Sequence, residues 1–487
     1  MTNVLPLGAS NGAPVTAPAK YLNRHGLIAG ATGTGKSVSL MGMAEAFQRL
    51  GVPSLVTDIK GDLSGLAVAS SATTDNGRNV LPWHPAAAQV QPWDVYGQAG
   101  VPLRASLAEM GAPLAARALG LSDVQTGVLE VAYAVAADEL MPLDTLADLR
   151  DVVAYCSENR QAIGARYGLV TPSSVAGIGR AILRLERGGG AEFLSSQATD
   201  IGEFTTGRAV HLLHCVELVR EPRLYGAVLL WLLDSLARTL PEVGDRPLPK
   251  LALFLDEAHL IFSDCPPDVL RAVEQTVRLI RSKGVCVFFA SQAPADIPDA
   301  VARQLHLRVQ HALRAVTPRD RSLVRAAADS LPAGDGFKVA DAIEALPPGS
   351  ALVSFLGADG KPTPTRIVQM QLPRCRLSPL SDAERAALLG VTVPAPRPDP
   401  QPLPVPRPDR QPLPGNPPKP TRPRPRLHAL EIAGAAIGCA LALFLAVGGV
   451  NAWLIGFPGI GLGLGMGGAS VACGVALAIS SRRQCEG

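Results

Sequence analysis

The sequence predicts an α/β protein built on a mainly parallel sheet, and three observations carry that reading. Short apolar runs recur along the first 393 residues, helical patterns lie between them, and a glycine-rich turn joins one run directly to a helix. Runs buried on both faces and separated by helices are the pattern of parallel strands covered from both sides. The clearest runs are Gly26 to Ala29, Ser54 to Thr57, Ala209 to His214, Leu251 to Leu255, Val285 to Ala290, Leu307 to His311 and Ala351 to Phe355.

In chain order, residues 1–20 read as a small-residue, proline-containing lead-in without the charged and apolar regions of a signal peptide, so nothing there directs export. Residues 21–393 form the sheet domain, with a helical insertion at about 101–194, where strand-like runs give way to helical periodicity. A proline-rich spacer follows at 394–426 and an apolar tail at 427–487. The chain has 487 residues, long enough for a large α/β domain with insertions.

Composition narrows the class. With 47% hydrophobic and 18% charged residues the chain is neither disordered nor a basic nucleic-acid coat. The net charge of +3 is unevenly placed: the spacer carries seven basic residues against two acidic (Asp399 and Asp409), a balance of +5, the tail is neutral, and the first 393 residues carry −2. A slightly acidic body contacts nucleic acid only through a local basic patch or pore lining. The eight cysteines contain no C-x-x-C pair, which argues against a disulfide framework or zinc site and for a reducing cytosol.

The spacer repeats P-R-P-D-P-Q-P-L-P-V at Pro396 as P-R-P-D-R-Q-P-L-P-G at Pro406. Proline at this density fixes φ and removes donors, giving an extended spacer of about 3.1 Å per residue; its P-x-x-P pattern is also the form of a docking ligand for an unknown partner. Beyond it, Ile432 to Ile455 and Ile460 to Ile479 carry no charge, and each is long enough as a helix to cross a hydrocarbon core of about 30 Å. They read as a two-span membrane hairpin, with a weak helix pair or disordered tail as the bland alternative. Gly463 and Gly467 form a G-x-x-x-G pattern for close helix approach, and Trp453 suits an interface. Arg422, Arg424 and Arg426 before the pair, and Arg482 and Arg483 after it, place both ends in the cytoplasm. The expectation is a motor domain on the cytoplasmic face of the cell inner membrane.

Three motifs carry chemistry. Gly30, Ala31, Thr32, Gly33, Thr34, Gly35, Lys36 and Ser37 spell the full G-x-x-x-x-G-K-[ST] P-loop between an apolar run and a helical pattern reaching Leu50. Such a loop wraps backbone N–H groups around phosphates, Lys36 reaches the β/γ-phosphates and Ser37 ligates Mg²⁺. The run Leu251 to Leu255 ends in Asp256 and Glu257. A carboxylate at that strand tip orders Mg²⁺, which assigns Asp256 to the metal, and the adjacent Glu257 is placed to act as general base. The run from Val285 ends in Ser291 and Gln292; Gln292 reads either as a sensor of the γ-phosphate and its water or as a loop residue. Together these describe an ATPase of the additional-strand type, with lysine and carboxylate expected from neighbouring strands.

Four separated segments carry a family resemblance: H-G-L-I-A-G-A-T-G-T-G-K-S at the P-loop, T-D-I-K-G-D-L-S-G from Thr57, R-L-I-R-S-K-G-V from Arg278 and R-V-Q-H-A-L-R-A-V-T-P-R-D from Arg308. In this order, and from roughly Tyr21 to Leu372, the chain resembles the HerA-like helicase-domain family of the FtsK/HerA branch. The resemblance implies a RecA-like core, a homo-hexameric ring with ATP at subunit interfaces, and action on double-stranded DNA. It also implies that Asp58 lies close to the nucleotide, that Gln292 is the sensor glutamine, and that Arg281, with Arg278 the less favoured neighbour, is a finger acting in trans; either arginine reads equally as a helix-surface cation. A guanidinium suits the charge on a transferring phosphoryl group. Two departures stand out. Only about 25 residues precede the P-loop strand, leaving no room for the small β-barrel of the archaeal relatives, and the spacer and hairpin lie outside the family core.

The leading expectation is therefore an ATP-hydrolysing DNA translocase or helicase tethered to a membrane. The competing one is a membrane-anchored ATPase that powers protein transport or remodelling, as in secretion-system coupling ATPases, although those usually carry their spans before the motor. A nucleotide switch with little turnover is disfavoured by Glu257.

Overall fold

Apolar β-prone runs alternate with amphipathic helices over most of the chain, and pairing those runs edge to edge builds one large sheet. The computed structural model describes residues 4–72, 74, 83–244, 246–262 and 267–389. The chain divides into two units, Met1–Pro396 and Arg397–Gly487, and the described residues belong to the first. The proline spacer and the apolar pair expected to form the membrane hairpin lie outside the described residues. Among those described, no helix is long and apolar enough to cross a membrane.

The strands are β1 (Val4–Ser10), β2 (Ala13–Pro18), β3 (Gly26–Ala29), β4 (Ser54–Asp58), β5 (Val90–Asp94), β6 (Val101–Pro102), β7 (Val210–His214), β8 (Leu251–Leu255), β9 (Val285–Ser291), β10 (Leu307–Gln310), β11 (Ser350–Ser354) and β12 (Arg366–Met370). They form a 12-stranded sheet in the order β2-β1-β12-β11-β10-β3-β9-β8-β4-β7-β5-β6. From β10 through β6 every pairing is parallel; from β10 outward to β2 every pairing is antiparallel.

Residues 1–20 contain more than a lead-in. Val4–Ser10 and Ala13–Pro18 make an antiparallel hairpin, and β1 docks on β12 with Gly8 opposite Met370. Pro6, Pro14 and Pro18 obscure this in the sequence, because proline argues against a ladder; the sheet tolerates Pro6 beside an irregular register between Pro6 and Gly8. Strands β5, β6 and β12 are likewise absent from the sequence reading.

Alternating residues of the central strands feed two cores. On one face Ile28, Val56, Phe254 and Phe288 meet the helix Lys36–Arg49, whose Phe47 ring sits 6.0 Å from Phe254 and 5.6 Å from Phe288. On the other face Leu27, Leu55, Leu253 and Phe289 meet the helix Pro222–Thr239 and the inserted helices. The insertion comprises Leu107–Leu119, Asp123–Asp138, Leu146–Glu158, Arg160–Arg166 and Pro172–Leu185, and Phe193 beyond them packs edge-on to Trp231 at 5.4 Å. Ser122 and Thr145 cap two of these helices through reciprocal side-chain to backbone bonds. Burying one face of each helix against the sheet is what fixes the positions of the strand tips.

Candidate nucleotide-binding site

The P-loop begins where β3 ends. Gly33 and Gly35 adopt φ of 78° and 111°, values that favour glycine, and the helix starts at Lys36. The turn is braced from three sides: the Gly30 N–H donates to Ser291 O at 3.2 Å, the Ala31 N–H to Ala312 O at 3.0 Å, and the Gly349 N–H to Thr34 O at 2.9 Å. Thr34 Oγ1 donates to Ala31 O at 2.7 Å. A Cβ on Gly35 would lie 3.0 Å from Gly349 N, so the loop has no room for a side chain there. Beneath it His311, buried between Ser39 Oγ and the Ser350 carbonyl at 3.0 Å each, ties the P-loop helix to β10 and β11. Burial lowers its pKa to about 4, so the ring is neutral near pH 7.

The acidic pair follows β8. Thr57 Oγ1, at the tip of adjacent β4, accepts the Asp256 N–H at 2.8 Å, and the Tyr225 hydroxyl donates to Asp256 O at 3.2 Å. Glu257 is held in the left-handed region at φ 44°, an uncommon conformation for a residue with a side chain. Lys36 Nζ donates to Glu257 Oε1 at 3.4 Å and stands 4.0 Å from Asp256 Oδ1. Lys60 Nζ donates to the same Glu257 oxygen at 3.0 Å. Glu257 Oε2 makes no hydrogen bond, and His259 Nδ1 lies 3.4 Å away. Burial would raise the Glu257 pKa, but Lys36 and Lys60 outweigh it and hold the carboxyl below its ordinary value. For Asp256 burial wins, with Glu257 adding to it, and the pKa rises despite Lys36.

Strand order corrects one expectation: β9 lies between β3 and β8, so the lysine and the carboxylates do not come from neighbouring strands. The inserted β9 ends in Ser291, and Gln292 beside it lines a cleft of about 690 Å³ with Ala31, His259, Phe262 and Arg314. Gln292 thus opens on the space in front of the P-loop. Asp58 ends β4, fully buried; burial first and Asp62 second push its pKa up to about 7, against the opposing pull of the Leu63 and Gly61 backbone N–H groups. Ser37 occupies the first turn after Lys36, half-buried, and Thr32 is exposed on the loop. Arg281 and Arg278 are not brought to this cleft. They ride the helix Pro267–Ser282, and Arg281, in its last turn, acts on His25 at the start of β3, the opposite end of that strand from the P-loop. Arg278 pairs with Glu274 at 3.1 Å on the helix surface.

The sequence reading missed three residues of this constellation: Thr57, Lys60 and His311. Each lies inside a segment quoted for the resemblance, yet what each touches is set by strand pairing. The donor set fits a triphosphate with a divalent cation. Glycine amides and Lys36 face the phosphate position, Ser37 and Asp256 offer oxygens of the hard type that Mg²⁺ takes, and Glu257 Oε2, without a hydrogen bond, is left open to a water.

The sequence matches the family described as Helicase HerA-like C-terminal over residues 5–394. The chain belongs to the HerA-like family. This HerA-like ATPase is also similar in fold to solved structures. Unbound bacterial conjugative coupling protein TrwB superposes with a TM-score of 0.52 at 16% identity, covering 77% of this chain and 90% of that one. Plasmid coupling protein TrwB in complex with the ATP analogue ADPNP gives 0.52 at 16% identity, covering 77% and 91%. VirB4 of Thermoanaerobacter pseudethanolicus gives 0.50 at 15%, covering 75% and 96%. No curated protein matches the sequence.

Proposed function

We propose that this HerA-like ATPase is a motor that hydrolyses ATP with Mg²⁺, assembles as a homo-hexameric ring and translocates or unwinds double-stranded DNA. One observation carries the hydrolytic part: Lys36 Nζ and Glu257 Oε1 meet at 3.4 Å across the tip of the intervening β9. The amides of Gly30 to Gly35 and Lys36 bind the phosphates, and Ser37 and Asp256 would hold Mg²⁺. Bound there, the ion neutralises charge on the phosphate oxygens. Glu257 takes a proton from water as the water oxygen attacks the γ-phosphorus and the bond to the bridging oxygen breaks, leaving ADP and phosphate. Gln292 orients that water from the cleft side. Asp58 shapes the floor next to Asp256.

The polymer is supported by the family's helicase description and by the fold likeness to a conjugative coupling protein. Arg281 belongs to a subunit interface in this reading, because its own P-loop is at the other end of β3. The apolar pair at 427–487 anchors the motor to the cytoplasmic face of the inner membrane, and the proline spacer links the two. Steady-state hydrolysis by the full chain in detergent tests the polymer: the rate should rise with double-stranded DNA and the stimulation should fade as salt screens phosphate contacts. A rate indifferent to DNA but raised by a protein substrate would favour the transport ATPase instead. Lys36→Ala should lose turnover, whereas Glu257→Gln should bind ATP and fail to hydrolyse it.

A further inference from the structure

Lys60 is closer to Glu257 than the P-loop lysine is, 3.0 Å against 3.4 Å, and both donate to the same oxygen. A bound triphosphate competes for Lys36, which belongs to the P-loop. Lys60 does not; it stands two residues past β4 on a loop that turns at Gly61, φ 75°. The Glu257 carboxylate therefore stays held through Oε1 when nucleotide enters, and a carboxylate that keeps an ammonium partner is a weaker base toward an attacking water.

The loop that carries Lys60 is itself covered. Ser64 Oγ donates to Gly61 O at 3.1 Å and accepts the Leu380 N–H at 3.0 Å. A Cβ on Gly65 would fall 2.2 Å from Arg376 O and 2.4 Å from Ser378 O, so the chain at 376–378 lies directly on the short helix Leu63–Ala67 that follows this turn. That strap is sewn down along its length. The Arg376 N–H donates to Val68 O at 2.8 Å, Trp83 Nε1 to Pro373 O at 3.2 Å, and Arg376 forks onto Glu384 at 2.8 and 2.9 Å. Glu384 lies in the first turn of the short helix Asp382–Leu389, whose Arg385 reaches His214 at 3.3 Å. The strap is the last described stretch before the spacer.

We propose that Lys60 is a positioning residue that latches Glu257 in the resting site, and that the strap at 371–389 keeps the latch closed, so that loosening the strap releases the carboxylate and raises turnover. The proposal rests on Glu257 being the general base. It places a control point for hydrolysis where the motor domain leads into the rest of the chain, distinct from the P-loop and the metal position.

The test is the basal ATPase of the full chain without DNA, read as kcat and KM separately. Lys60→Met should raise kcat by roughly threefold or more with KM for ATP little changed, and Lys60→Arg should stay near wild type because the ion pair survives. Arg376→Ala should raise kcat in the wild-type background and add nothing in the Lys60→Met background, the non-additivity expected of one coupled device. A Lys60→Met enzyme with kcat at or below wild type, folded by its thermal midpoint, overturns the latch. Unchanged turnover in Arg376→Ala overturns the strap's part in it. Glu257→Gln is run alongside: if it turns over like wild type, the general-base reading has failed, whatever Lys60 does.

Discussion

Asp58 ends β4 with no exposed surface, and its pKa of about 7 lies far above the 3.8 of a free aspartate, chiefly through burial. The folded protein therefore holds a proton on Asp58 between about pH 4 and 7 that the unfolded chain has released. Stability contributed by this group is full below pH 4, falls as pH rises through that window and is lost above pH 7. Asp58→Asn is expected to be more stable than wild type at pH 8, by up to about 4 kcal/mol as an upper bound, and so to melt higher, with the gap closing toward pH 5. Thermal melts at the two pH values check it; equal midpoints at pH 8 would show that the buried carboxylate costs nothing. Lys36 and Ser37 were legible as candidates because they close the contiguous G-x-x-x-x-G-K-S pattern, and Asp256, Glu257 and Gln292 because they follow contiguous apolar runs. Lys60 was not, since its partner stands 197 residues away and only the pairing of β4 with β8 brings them together.

The central strands were visible as elements because burial on both faces leaves an unbroken apolar run, as in Leu251–Leu255 and Val285–Ser291. Outer strands carry no such mark. β5 contains Pro92, β6 is two residues long, and β12 is exposed at Arg366, Ile367 and Gln369. One contact between elements matters for chemistry: Thr57 at the tip of β4 fixes the backbone after β8 by accepting the Asp256 N–H. Thr57→Val keeps the shape and removes that acceptor, leaving a buried donor unpaired. A loss of about 1–3 kcal/mol in denaturant unfolding is expected, together with a lower kcat, because Asp256 and Glu257 lose their anchor. Loss of stability with unimpaired kcat would mean that the bond serves folding alone.

On the scale of the whole molecule, Arg281 and the P-loop stand at opposite ends of β3, so Arg281 does not reach the P-loop of its own chain. The ring reading predicts that Arg281→Ala is inactive alone and that small amounts mixed into wild type depress activity more than in proportion. A fully active Arg281→Ala protein removes the arginine from the mechanism. Truncation after Val393 should move the protein from membrane to soluble fraction while keeping ATP hydrolysis; retention in the membrane would mean that residues before 394 anchor it.

Local chemistry was decided by sequence alone: the glycines and Lys36 of the P-loop and the carboxylates after an apolar run act through backbone conformation and residue type within a few positions. Tertiary structure decided the rest. The N-terminal hairpin became part of the sheet only by pairing with a strand more than three hundred residues on, β9 came between the lysine and the carboxylates, and Lys60 met Glu257. Those outcomes depend on which strands lie side by side, and strand neighbours are chosen by the summed burial of two cores, which no single segment encodes.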